Sequence, residues 1–125
     1  MEKVNIWDIE GTEFPAGRRT REILGQNGAM EGSKFCQGYV VVYKGGGIPE
    51  HDHETVESYT IIKGHGEMEV DGEKQPVKEG DCIFIPGNLK HALYNTGEEE
   101  LHMMFVYAPS IIVDHWAKEQ SGEIK

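Results

Sequence analysis

From Gly38 to Pro109 the chain alternates apolar and polar residues in short runs. "GYVVVYKGG", "ESYTIIKG", "GEMEVDGE", "QPVKEGD", "CIFIPGN", "HALYNTGE" and "ELHMMFVYAP" follow one another with Gly, Pro, Asn and Asp between them. A period of two is that of a strand with one face buried. "VDGE" and "NTGE" read as hairpin turns. No segment between residues 36 and 109 shows a 3.6-residue apolar period of helical length. Evenly spaced short strands of this kind predict an all-β antiparallel sandwich or barrel. We place that domain at 36–109. Residues 1–35 read as an N-terminal arm or extra strands, with turns at "GQNG" and "EGS". After Pro109, "SIIVDHWAKEQ" predicts a short helix within a C-terminal segment, 110–125, and "SGEIK" a tail.

Composition narrows this picture. At 125 residues the chain suits one domain with its own core. No apolar run approaches the roughly 20 residues that span a bilayer. The first ten residues, "MEKVNIWDIE", lack the apolar stretch of a secretory signal. Two cysteines, Cys36 and Cys82, show no metal-knuckle or redox spacing, so the expected compartment is cytoplasmic and reducing. Cys82 and Phe84, in the apolar run "CIFIP", are expected in the core. A formal net charge of −10 argues against nucleic acid and anionic membrane surfaces as partners.

The chemistry concentrates in "GGGIPEHDHETVESYTIIKG". Residues two apart on a strand project to the same face, so His51 and His53 share a face and Asp52 points away. Glu57 has their parity and joins them if the strand continues. His91 opens the later strand "HALYN". Three imidazoles and one carboxylate on one face of a closed sheet suit a single divalent metal, with positions left for water or substrate. Tyr59 and Ile61 share the parity of Glu57, and Leu93 and Asn95 that of His91, so all four are expected to line the interior. Of the other histidines, His65 reads as solvated at a turn and His115 as structural. The strand parity of His102 is undetermined: inward it is a candidate acid or base, outward an interface residue.

These residues carry a resemblance. The pattern G-x5-H-x-H-x3-E-x6-G is met by Gly45, His51, His53, Glu57 and Gly64, and G-x5-P-x-G-x2-H-x3-N by Gly80, Pro86, His91 and Asn95. Together they resemble the paired motifs of the cupin superfamily. One position departs, where Asn88 stands for glycine beside Gly87; Asn tolerates the left-handed backbone such a turn needs. The resemblance implies a small jelly-roll barrel with His51, His53, Glu57 and His91 as ligands to Mn, Fe, Zn or Ni.

Fold alone does not choose a function. The first expectation is a metal-dependent enzyme on a small oxygen-rich substrate, a sugar, uronate or oxo-acid. Its chemistry would be of isomerase or lyase type, with Glu57, Tyr59 or His102 moving the proton and Tyr59 and Asn95 contacting substrate. The alternatives are an Fe(II)-dependent dioxygenase and a non-catalytic small-ligand or metal-binding module. All three arginines lie in "GRRTR". An anionic substrate approaching so acidic a chain needs a local positive charge, and a guanidinium fork suits its carboxylate or phosphate. Arg19 and Arg21, which share a face, are expected to supply it before Arg18. The apolar residues Val4, Ile6, Trp7, Phe14, Ile23 and Leu24 have no evident place inside so small a barrel. They lead us to expect a homodimer, packed through the arm or a sheet edge.

Overall fold

A computed structural model of the protein describes residues 1–32, 34–110 and 115–123. After a 3-10 turn at Ile6–Asp8 the strands are β1 (Thr12–Phe14), β2 (Arg18–Gly25), β3 (Met30–Glu31), β4 (Cys36–Val42) and β5 (Gly47–His51). They continue as β6 (Val56–Lys63), β7 (His65–Val70), β8 (Glu73–Lys78), β9 (Cys82–Ile85), β10 (His91–Asn95) and β11 (Leu101–Ala108). A short helix, α1 (His115–Gln120), follows. The front half of the predicted helical stretch, residues 111–114, lies outside the described residues. Among the described residues no helix is long and apolar enough to cross a membrane.

The strands form two facing sheets, the jelly-roll arrangement. One runs β1-β2-β4-β11-β6-β9, with β3 beside β2; the other runs β5-β10-β7-β8. Every pairing is antiparallel except β2 with β3. The "VDGE" turn closes the β7–β8 hairpin, with Asp71 at φ 49 and Gly72 at φ 84, as a two-residue hairpin loop requires. "NTGE" is not a hairpin. β10 and β11 lie in different sheets, and the turn carries the chain from one to the other.

The core lies between the sheets. Along β11 burial alternates without a break, so Leu101, Met103, Phe105 and Tyr107 face inward. Val42, Ile61 and Leu93 meet them there, each nearly or fully inaccessible. Each such side chain contributes about 1.5–3 kcal/mol.

Three further expectations are corrected. The boundary at residue 36 is no break, because β2 pairs with β4 along most of its length and belongs to the main sheet. Cys82 and Phe84 are exposed, and Ile83 and Ile85 take the inner face of β9. A run apolar on both faces hides its parity; pairing with β6, which sets Ile85 opposite Glu57, decides it. The apolar residues of the arm also find a place on their own chain. Val4, Ile6 and Ile9 pack on Ile23, Tyr39 and Val41, on the outer face of the larger sheet.

Candidate metal centre

Four side chains converge at one end of the interior. His51 ends β5 and His91 begins β10, and the two are register partners across that pair. His53 stands on the link that leaves β5, and Glu57 near the start of β6 in the opposite sheet. The four are therefore not on one face of one sheet, as the parity argument supposed. The chain crosses between sheets after His53, and the site closes across the barrel. Their ligand atoms lie within 4.8 Å of one another. His51, Glu57 and His91 are buried, as is the His53 side chain at 7% exposure. Asp52 points away and is exposed, as expected.

Backbone carbonyls set the imidazole orientations. Nδ1 of His51 donates to the Pro49 carbonyl (2.8 Å), that of His91 to Leu89 (2.9 Å), and that of His53 to Thr55 (3.1 Å). The Thr55 hydroxyl also lies 2.6 Å from the His53 nitrogen. A proton on Nδ1 leaves the Nε2 lone pair facing the cavity, the tautomer a metal requires. Nε2 of His53 and of His91 lie 3.1 and 3.2 Å from the same Glu57 oxygen. Lone pairs and a carboxylate this close call for a cation between them, a proton or a metal ion. The donor set of three nitrogens and one oxygen fits a divalent first-row ion.

The electrostatics agree. Burial, with His91 adding repulsion, lowers His51 to about 3, so it stays neutral. Burial works against protonation of His53, but the Glu57 carboxylate outweighs it and raises the pKa. Burial likewise opposes ionisation of Glu57, yet the hydrogen bonds from His53 and His91 hold it below the usual carboxylate value.

The departure in the second motif has a structural account. Asn88 adopts φ 67, the left-handed turn, and its N–H donates to the His53 carbonyl at 2.7 Å, tying the two motifs together. A Cβ on Gly87 would lie 2.6 Å from the Glu54 carbonyl oxygen, so only glycine fits there.

The remaining candidates separate. Tyr59 is in the interior, its ring centroid 6.0 Å from that of His91, and burial raises its pKa well above 10, so the phenol keeps its proton. Asn95 is buried, but its amide is committed: Nδ2 donates to the carbonyls of Val42, Tyr43 and Glu99, and Oδ1 accepts from Gly97 N–H. Its polar atoms bind backbone. His102 lies on the outer face of β11, between Tyr39 (Nδ1 to the hydroxyl, 2.7 Å) and Glu100, with the sheet between it and the four candidate ligands. This is the outward of the two alternatives that the sequence left open. Arg19 and Arg21 are also on the outer face. Arg19 pairs with Glu13, and Arg21 donates to the Ile9 carbonyl and lies over the Trp7 ring.

The inward residues of β2 are Arg18 and Thr20. Both line an inner cavity of about 20 Å3 together with His51, Glu57, Tyr59 and Tyr107. Tyr107, its ring 6.0 Å from that of His53, is a further wall that the sequence reading missed. β2 reverses the usual pattern by turning polar residues inward and covering its outer face with the arm, so alternation alone could not mark the inner side.

Comparison with known proteins gives concordant results. Residues 38–107 match the family described as Cupin domain. An uncharacterised protein of Aquifex aeolicus is 35% identical over 72 residues, 58% of this chain and 59% of that one. A 5-nitrosalicylic acid 1,2-dioxygenase of a Bradyrhizobium species is 31% identical over 78 residues, 62% of this chain and 37% of that enzyme. The match thus spans less than two thirds of each of these relatives. Among solved structures, a predicted oxalate decarboxylase of Thermotoga maritima superposes with a TM-score of 0.74, at 21% identity over 85% of this chain and 97% of that one. At that identity the likeness is one of fold.

Proposed function

The chain belongs to the cupin family, and from that premise we propose that it is a metal-dependent enzyme acting on a small oxygen-rich substrate by isomerase or lyase chemistry. One observation carries the reading: three imidazoles, each held at Nδ1 by a backbone carbonyl, bring ligand atoms to the same buried end of the barrel as Glu57. His51, His53, Glu57 and His91 would hold the ion, which when bound polarises a carbonyl or enediolate oxygen as a Lewis acid. Tyr59 holds its proton and serves as a hydrogen-bond donor to an oxygen gaining negative charge. Met103 and Phe105 add apolar walls to the inner cavity, and the low dielectric there strengthens these polar contacts.

A second reading is an Fe(II)-dependent dioxygenase, favoured by the likeness to the Bradyrhizobium enzyme. A third is a binding module without turnover. Protein made under defined Mn, Fe, Zn or Ni supply and screened against sugars, uronates and oxo-acids separates the three. Metal-dependent rearrangement or elimination supports the first reading, and substrate-coupled oxygen uptake the second. Saturable binding without product supports the third.

A further inference from the structure

The inner cavity that reaches His51 and Glu57 has room for little more than a water molecule. Trp116 of α1 forms part of its wall, and the same Trp116, with Thr20, also lines a cleft of about 440 Å3 on the outside. α1 thus stands between the outer cleft and the metal-ligand cavity.

What α1 inserts there is a carboxylate. Arg18 is 1% exposed and Glu119 2%, and they form a two-point pair, Nη1 with Oε2 and Nη2 with Oε1 (2.7 Å). Nη1 also donates to the Gly47 carbonyl at 3.2 Å, and the guanidinium lies 4.1 Å from the Phe14 ring centroid. The guanidinium is therefore held in place by the barrel itself. Beside it, Thr20 is 6% exposed, and its buried hydroxyl has no hydrogen-bond partner among the described residues. A buried hydroxyl left unpaired costs free energy that a ligand oxygen would recover.

We propose that Arg18 and the Thr20 hydroxyl form the subsite for a carboxylate of the substrate, and that Glu119 occupies this subsite when α1 is seated. The proposal rests on the reading above, in that the cavity holding the metal ligands is where substrate binds, and it assigns the substrate class as carboxylic acids. A substrate carboxylate reproduces both hydrogen bonds of Glu119 and adds one from Thr20, and the volume vacated by Trp116 and Glu119 admits the rest of the molecule. It also answers the charge problem: Arg18 is a positive group on the inner wall of a chain of net charge −10.

The test uses metal-free protein and malonate, with uncharged malonamide as control. Tryptophan fluorescence is read in a Trp7→Phe background so that Trp116 alone reports. Glu119→Gln is expected to bind malonate about tenfold to a hundredfold more tightly than the parent, the scale of a hydrogen bond to a charged group. Adding Arg18→Gln, which removes both charges together, is expected to return binding to the parent level, and malonamide to bind none of the proteins. Glu119→Gln binding no tighter than the parent, or a gain that survives Arg18→Gln, overturns the proposal. In the unmodified chain malonate is expected to speed amide exchange across His115–Gln120, and malonamide to leave it unchanged; exchange indifferent to malonate overturns the proposal without any variant. Because no metal is present, the outcome is independent of whether the metal centre proves catalytic.

Discussion

His51 and His91 stand directly opposite each other on β5 and β10, with ring centroids 4.2 Å apart. Two doubly protonated imidazoles would repel at this distance, whereas two neutral ones can share a metal ion. Ion binding to the folded state alone stabilises it by mass action, about 2.7 kcal/mol at a hundredfold excess over Kd. The unfolding temperature of metal-free protein is expected to rise by several degrees on adding a divalent metal. His51→Ala is expected to abolish the rise.

Asn95 is expected to act on the fold and not on the site. Its amide ties the ends of β4 and β10 to the turn entering β11. Asn95→Ala leaves buried carbonyls unpaired and is expected to cost about 1–3 kcal/mol in urea unfolding. Metal content should stay at the parent level; a stable variant, or one that loses metal while folded, contradicts this assignment.

The two cysteines are expected to behave oppositely. Cys36 is fully buried and donates to Glu22 at 2.9 Å, whereas Cys82 is exposed. Burial and then the Glu22 carboxylate push the Cys36 thiol from 9.0 up to about 12. The folded pKa lies above the unfolded one, so this contribution to stability is whole below about pH 9 and declines as pH rises toward 12. Iodoacetamide at neutral pH should label Cys82 alone. The parent should lose stability above about pH 9 more steeply than Cys36→Ala. Equal labelling of both thiols contradicts the burial.

The arm covers the outer face of the larger sheet on its β2–β4 side only. On the β6–β9 side Val56, Ile62 and Phe84 are 46%, 40% and 66% exposed, beside the edge of β9, which pairs with no further strand among the described residues. Homodimerisation through this face and edge is expected. Sedimentation at micromolar concentration should give a dimer, and Phe84→Glu a monomer. A monomeric parent refutes it.

How far the sequence foretold this structure depends on what each residue's neighbours are. The strands from Cys36 to Ala108 were legible because short β-rich runs are set apart by turn residues, and β6 and β11 bury alternate residues against the core. The cluster of candidate ligands was legible because the two motifs bring four donor side chains of matching chemistry together. The side of each strand was legible only where one face was plainly polar. His102 and Phe84 sit in runs apolar on both faces, and only pairing with neighbouring strands assigns them. Arg18 was passed over for Arg19 and Arg21 because an inward arginine becomes favourable only when a distant residue, here Glu119, supplies its countercharge. No local pattern carries that information.

The most direct measurement is metal stoichiometry in His53→Ala and His91→Ala beside the parent, each purified under the same defined metal supply and checked for folding by circular dichroism. The account predicts close to one divalent ion per chain in the parent and a sharp loss in both variants, with the β-sheet spectrum retained. Unchanged stoichiometry in both variants would contradict the assignment of these side chains as the metal centre.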